Sequence, residues 1–540
     1  MNPSIPIVIM LLGAGGMMAG PLLPRSRSEV IGLVPVTAAL LAVLAGLLLG
    51  FRLPAEFTVS AWPESFFGFG LRLMTDRVSW LFQLVLSIAA AAVFLTSLSR
   101  PGGPRVGSRA AGLVLTAVAM AAVQAQNLVT LAITWAVMDG VYFISLLLLA
   151  RGERIESQAT LSLTLNVLAT FCVIAAAVDV LHNGQTTFLL GTTILSDRAT
   201  LLLLLAALFR LGIFPFHLAI SNEGNIRQGL GTLLRLAPAA VAFDLLTHVV
   251  VVSAKLPMTT WLSLAACLGL FVGALQLWFS SDPRHGLSYV ILAQSSLGLL
   301  TALWGGTWAG TGVLATGLST ILGGTILFLN NGYNESERRW SIPTFVGVLV
   351  MLGGPLTVGF IGNAIMYSGF LASGAWWLFL ICVIGQIWLA AAYIRLVLWP
   401  GEPMIKAEPI VSVAYLFGLI APILAAVVGG VAVTGLTQST GAPTFDLFGL
   451  PTLSAFGALI GAALAGFGLW RFESVVRARA QSLATVASAA QLGWLYPLFW
   501  ELYRAIGRML RTTADILEGE GGVLWTIVAA LLVWLLFRSA

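Results

Sequence analysis

Asp139, Arg210, Arg235, Asp244 and His248 fall inside long apolar runs of the chain, where an ionisable side chain is costly and marks a route for protons or ions. His248 follows Asp244 by one helical turn on the same face, so imidazole and carboxylate can hydrogen-bond. Histidine titrates near neutral pH, which makes the pair a candidate proton carrier. A competing reading sets both near the outer end of their span, touching headgroups or solvent. Arg210 and Arg235 offer different chemistry: a guanidinium with an intrinsic pKa above about 12 stays charged, so it biases a pathway without passing protons. Left alone at the bilayer centre, each would cost at least ~2.5 kcal/mol, so each requires a partner.

Other chemistries have no residues to carry them. Cys172, Cys267 and Cys382 each sit in an apolar run without CxxC spacing, which suits small core residues and gives no disulfide framework or zinc or iron–sulfur ligand set. There is no Walker loop and no GxGxxG before a helix, so neither ATP nor a dinucleotide is expected, and no cofactor or metal is assigned. His182 and His285 fall in loops and receive no role.

The elements that position these side chains follow from composition. Of 540 residues, 59% are hydrophobic and 9% charged, which does not fit a water-exposed surface. Long, unalternating apolar runs exclude a β-barrel and predict an all-α polytopic membrane protein with about 16 transmembrane helices between residues 4 and 538. The stretch Ile5–Leu23 lacks a basic leader and is read as the first span. A net charge of +5 is too small and scattered for nucleic acid. It reads as an orientation signal: Arg25, Arg27, Arg100, Arg105, Arg109, Arg151, Arg154, Arg227, Arg284, Arg338, Arg339 and Lys406 follow odd-numbered spans. By the positive-inside rule both termini face outward from a cell (inner) membrane.

The chain divides into a three-helix region over 1–108, five-helix units over 109–252 and 259–399, two further spans over 400–472, an amphipathic segment over 473–517 and a last span over 518–540. Gly and Pro interrupt span 7 at Phe209–His217 and span 12 at Gly353–Asn363. Paired breaks five spans apart predict two inverted repeats, because five is odd, and such breaks are tolerated where they line a polar pathway. In the amphipathic segment Glu501, Arg504, Arg508, Arg511 and Asp515 face away from Phe499, Leu502, Tyr503, Ile506, Met509 and Leu510. That pattern predicts a lateral helix on the cytoplasmic face, kinked at Pro497, serving as a lipid anchor or as a strut against neighbouring subunits.

The runs FRLGIFPFH, SSDPRHGLSYVILAQSSLG (280–298) and GGPLTVGFIGN, followed by Tyr393-Ile394-Arg395, resemble the antiporter-like membrane subunits of respiratory complex I (NADH-quinone oxidoreductase) and of Mrp-type cation/proton antiporters, over about residues 75–400. The resemblance implies two inverted five-helix repeats and a central hydrophilic axis for protons, with His217 as a connection point. It also implies that Tyr393 and Arg395 form the family's aromatic–arginine ending, which serves conduction or snorkelling to the inner interface.

The chain departs from that pattern at the titrating positions. Where the family carries a glutamate in span 5, Trp135 is followed by Ala136, and the nearest acid is Asp139, one turn on. The lysine of span 7 falls at Arg210, the lysine or histidine of span 8 at Arg235, and the lysine of span 12 at Asn363. Arginine accounts for 25 of the 27 basic residues, and Lys255 and Lys406 lie in loops, so no intramembrane lysine remains. Desolvation lets a buried lysine release its proton, whereas arginine holds on. Asp139 is the counter-ion expected for Arg210, either as a fixed bridge or as a working relay. The expected role is therefore a membrane-arm subunit of a complex I-like proton-translocating assembly with an altered relay. The alternative is a subunit of an Mrp-type antiporter or of a bicarbonate-accumulating, ion-coupled complex. Expected partners are other membrane subunits, the bilayer, and protons or a monovalent cation as cargo. Any oxidoreductase label would belong to the complex, with no chemistry in this chain.

Overall fold

A computed structural model describes residues 2–19, 32–59, 70–99, 106–149, 153–183, 195–219, 229–253, 256–283, 286–330, 341–399, 409–446, 449–479 and 481–490, with scattered positions from 492 to 534. The chain forms two compact units, Met1–Ala484 and Thr485–Ala540.

Long apolar runs, some carrying one or two interior charges, become the helices of the first unit. In order these are α1 (Ile5–Ala19), α2 (Val34–Leu49), α3 (Arg77–Ser97), α4 (Val106–Val123), α5 (Leu128–Leu149), α6 (Glu153–His182), α7 (Asp197–Leu211), α8 (Leu230–Val252), α9 (Thr259–Phe279), α10 (Ser288–Trp304) and α11 (Ala309–Asn330). They continue with α12 (Ser341–Leu352), α13 (Val358–Ala372), α14 (Trp376–Leu398), α15 (Pro409–Val431), α16 (Val433–Ser439), α17 (Leu450–Arg471) and α18 (Glu473–Arg479). Among the described residues, 11 helices are long and apolar enough to cross a membrane, and the protein is a multi-pass membrane protein. One addition to the all-helical expectation is a small antiparallel pair, β1 (Ala55–Thr58) with β2 (Arg72–Thr75), in which Ala55 faces Thr75. β2 leads directly into Asp76, whose carboxylate accepts the Ser79 N–H at 2.7 Å and caps α3.

Both Gly/Pro interruptions break their helices. α7 ends where Gly212 adopts φ 62°, its N–H turned back to the Leu208 and Phe209 carbonyls, and a 3-10 turn over Phe216–Ala219 follows. Span 12 is two helices, α12 and α13, joined through Gly353 at φ 81° and Leu356 at φ 64°. Gln294 donates to the freed Met351 carbonyl at 2.6 Å and Asn363 to that of Leu352 at 3.1 Å, so the break keeps its backbone satisfied.

The first unit's interior is organised on α11, all of whose residues are buried, packed against α3, α8, α10, α12, α13 and α15. Close approach needs small residues there. A methyl group on Gly317 would lie 2.8 Å from the Phe243 Cβ and 2.9 Å from the Phe82 ring. Gly317→Ala is therefore expected to cost about 1–3 kcal/mol through overpacking, read as a lower thermal unfolding midpoint of the detergent-purified protein. Cys267 on α9 and Cys382 on α14 meet as free thiols in the packed interior, as core residues.

In the second unit, Arg504 lies 6.0 Å over the Trp500 ring, and helical positions occur between 498 and 512. Phe499, Leu502, Tyr503, Ile506, Leu510, Asp515 and Pro497 lie outside the described residues, as do Lys255, Lys406, His285 and most of the loop arginines used for orientation.

Candidate functional site

Three helices bring the first charged pair together. α5 carries Asp139 and Trp135, α6 carries Thr170 and α7 carries Arg210 just before its end. Arg210 Nη2 lies 2.9 Å from one Asp139 carboxylate oxygen and donates to the other at 3.0 Å. The Thr170 hydroxyl donates to the same carboxylate at 3.1 Å. Trp135 covers the guanidinium face at 4.0 Å from its ring centre. Both charged side chains are at most 3% exposed. The contact sets a guanidinium against a carboxylate, so the two charges offset one another.

Arg235 sits on α8, donating to the Gly231 carbonyl at 3.3 Å with its guanidinium 5.5 Å from the Phe328 ring centre. His217, in the 3-10 turn after the α7 break, is buried and stacks on Phe214 at 5.5 Å.

Further along α8, His248 stands between acceptors. Its Nδ1 meets the Asp244 backbone carbonyl at 2.9 Å and lies 3.7 Å from the Asp244 carboxylate, while its Nε2 meets Asp76 Oδ2 at 3.2 Å. Both ring nitrogens donate only when the imidazole carries a proton on each. Asp244 and His248 are buried within the described residues, at 5% and 8% exposure. Asp76, which sequence reasoning missed, belongs to this cluster although it lies 172 residues from His248.

Asp76 precedes its span. Burial by itself would raise its carboxyl, but the His248 imidazole and the Ser79 donors hold it at about 2. The unfolded value is about 3.9, so this contribution to stability is complete above that pH and is lost as pH falls toward about 2. Asp76→Asn is expected to flatten the acid limb of the unfolding curve in that window, as followed by tryptophan fluorescence.

The second half has a different character. Asn363 Oδ1 accepts from Gln386 at 3.2 Å, and Tyr367 donates to Gln386 at 2.8 Å. Gln294, besides the Met351 carbonyl, reaches the Tyr393 hydroxyl at 3.4 Å. Gln294, Gln386 and Tyr367 were not singled out in the sequence, being neutral residues in apolar helices. Asn363 thus acts as a hydrogen-bonding bracket for the broken helix.

Arg395 is buried in the last turn of α14. It donates to the Trp278, Ser280 and Ser281 carbonyls at 3.0, 2.7 and 3.0 Å, closing the C-terminal end of α9. Its Nε lies 2.9 Å from Glu473 on α18, and Arg477 holds the same Glu473 oxygen at 3.0 Å. Among the described residues no cluster of three or more His, Cys, Asp or Glu side chains is arranged to hold a metal ion.

Comparison with known proteins supports the resemblance to the antiporter-like membrane subunits. No protein-family model matches the chain. The chain is 25% identical over 238 residues to NADH-quinone oxidoreductase subunit N of Herminiimonas arsenicoxydans, an alignment covering 38% of this chain and about half (48%) of that relative. Among solved structures it is similar to a chain of the Mrp complex of Dietzia sp. DQ12-45-1b (TM-score 0.81, 18% identity, 98% of this chain and 62% of that one). It is also similar to a chain of respiratory complex I from Thermus thermophilus (TM-score 0.66, 19% identity, 81% and 98%). A third likeness is to a chain of the membrane-bound sulfane sulfur reductase, an archaeal respiratory membrane complex (TM-score 0.73, 15% identity, 98% and 100%). The chain shares the fold of these membrane-complex chains.

Proposed function

We propose that the protein is a membrane-arm subunit of a complex I-like assembly in a cell (inner) membrane, in which the first relay position has become a fixed ion pair. The observation that carries this reading is the buried Asp139–Arg210 contact, built with the one basic side chain that does not deprotonate in proteins. Asn363, locked to Leu352 and Gln386, adds no titrating group at the end of the axis. The titratable route that remains runs through Asp76, Asp244 and His248, with His217 between the halves. In this reading the chain has about 16 spans with both termini outside, the units 109–252 and 259–399 are inverted repeats related through the breaks at Gly212 and Gly353, and the 473–517 segment is a lateral strut on the cytoplasmic face. The Arg395–Glu473–Arg477 cluster supports the strut, because it fixes where that segment begins.

Asp139→Asn tests the central point. The expected result is less assembled complex in membranes, with proton or cation movement per assembled complex unchanged. Normal assembly with transport abolished would make Asp139 a relay and overturn the fixed-pair reading. The likeness to the Mrp complex chain over 98% of this sequence favours a second reading, a subunit of an Mrp-type or bicarbonate-accumulating, ion-coupled complex. Mass spectrometry of partners retained in mild detergent separates the two: iron–sulfur and quinone-site subunits in the first case, other antiporter subunits or a soluble zinc protein in the second.

A further inference from the structure

The first unit encloses a cavity of about 470 Å³ at one end of its helices. Its walls are the corner between α10 and α11, with Trp304, Gly306 and Trp308, the end of α13 at Ala372, and the segment between α16 and α17, with Phe445. Trp308 meets the Phe445 ring edge-on at 5.5 Å and ties the last wall to the first. A methyl group on Gly306 would meet nothing within 4 Å, so the space beside it is open. The polar atoms of the lining are largely engaged by the protein itself. Trp304 donates its indole N–H to Ser263 at 2.9 Å, and Trp308 donates to the Pro443 carbonyl at 3.0 Å. The hydroxyls of Ser368, Ser373 and Thr452 donate to the Ile365, Gly369 and Asp446 carbonyls, each at 2.8 Å. What these side chains leave for a guest is ring and alkyl surface.

This end of the helices carries the signature of a membrane boundary. α9, α11 and α14 begin here and α10 and α13 end here. Trp261, Trp376 and Trp377 stand at it with 67%, 61% and 47% exposure, beside Trp304 and Trp308. Tryptophan gathers where apolar chains meet headgroups. Ala372 and Ser373 are exposed lining residues just before Trp376, so the cavity wall runs on into the lipid-facing surface of this multi-pass protein. A partner helix, about 10–12 Å across, would fill the cavity in roughly one turn, whereas a hydrocarbon chain is narrow enough to enter it.

We infer that this cavity binds one acyl chain of a phospholipid from the leaflet at that end, with the headgroup outside. A chain gains little by exchanging one apolar surrounding for another, so dispersion against the Trp304, Trp308 and Phe445 rings is what retains it. The site involves no ion, and it stands whichever assembly the chain belongs to.

The test uses the full-length protein with its native partners, reconstituted into nanodiscs of phosphatidylethanolamine and phosphatidylglycerol. One sample has ordinary chains and the other has chains brominated at their middle, and both are imaged by cryo-electron microscopy. The expected result is chain-shaped density inside the cavity against Trp304 and Phe445, joined to a headgroup outside and stronger in the brominated sample. Ala372→Trp, at an exposed helix end that lines the cavity, is expected to fold and to lose that density. Native mass spectrometry after detergent stripping is expected to find the retained phospholipid at about tenfold lower occupancy in this variant. A cavity filled by solvent, by a segment of a partner protein, or by density that bromination leaves unchanged would overturn the inference. The two maps of the unmodified protein decide the matter even if the variant does not fold.

Discussion

Asp139→Ala is expected to destabilise the protein by about 3–5 kcal/mol, because it leaves the Arg210 guanidinium buried without its counter-ion. The matching loss from Arg210→Met is smaller, since a neutralised Asp139 can hold a proton and still accept from Thr170 at 3.1 Å. The double variant Asp139→Ala/Arg210→Met removes both charges together and is expected to recover most of the single-variant loss, as replaced buried ion pairs commonly do. A double-mutant cycle on unfolding midpoints and on the amount of protein retained in membranes measures the coupling. Additive losses would show that the two side chains do not act as a pair.

Arg395→Ala is the second large effect. The side chain donates to three carbonyls at the end of α9 and contacts Glu473, all through a charged group. Charge-assisted bonds are worth about 1.5–3 kcal/mol each before compensation, so a net loss of about 3–5 kcal/mol is expected. Arg395→Lys is expected to rescue only a small part, since an ammonium point charge does not reproduce the guanidinium fork across several oxygens. Glu473→Gln, which keeps an acceptor for both arginines, is expected to be the mildest of the three. Limited proteolysis after α17 gives an independent readout: cleavage near Phe472 should accelerate in Arg395→Ala and not in Glu473→Gln.

The helical bundle and the pairing of Asp139 with Arg210 were legible in the sequence for the same reason, that a membrane interior forbids lone charge and free backbone. The breaks at Gly212 and Gly353 were legible because Gly and Pro interrupt otherwise continuous apolar runs. What escaped reading were partners distant in sequence with ordinary local roles. Asp76 caps α3, and nothing local in the sequence announces that its second oxygen receives His248. Glu473 and Arg477 fall at the start of the amphipathic segment, and nothing local shows that they close on Arg395. Gln294 and Gln386 carry no charge to stand out, yet they hold the broken span 12 and its neighbours together.

The burial of α11 on every side bears on how the chain is made. Its packing partners α3, α8 and α10 precede it in synthesis, whereas α12, α13 and α15 follow, so part of its surface meets lipid before its final neighbours exist. Three of its threonines suit that interval. Thr316, Thr320 and Thr325 donate to carbonyls four residues back in their own helix, at 2.9, 2.7 and 2.7 Å, and so need no partner from another element. The most enclosed helix of the bundle is thereby compatible with the bilayer during biogenesis, before the rest of the polypeptide arrives to cover it.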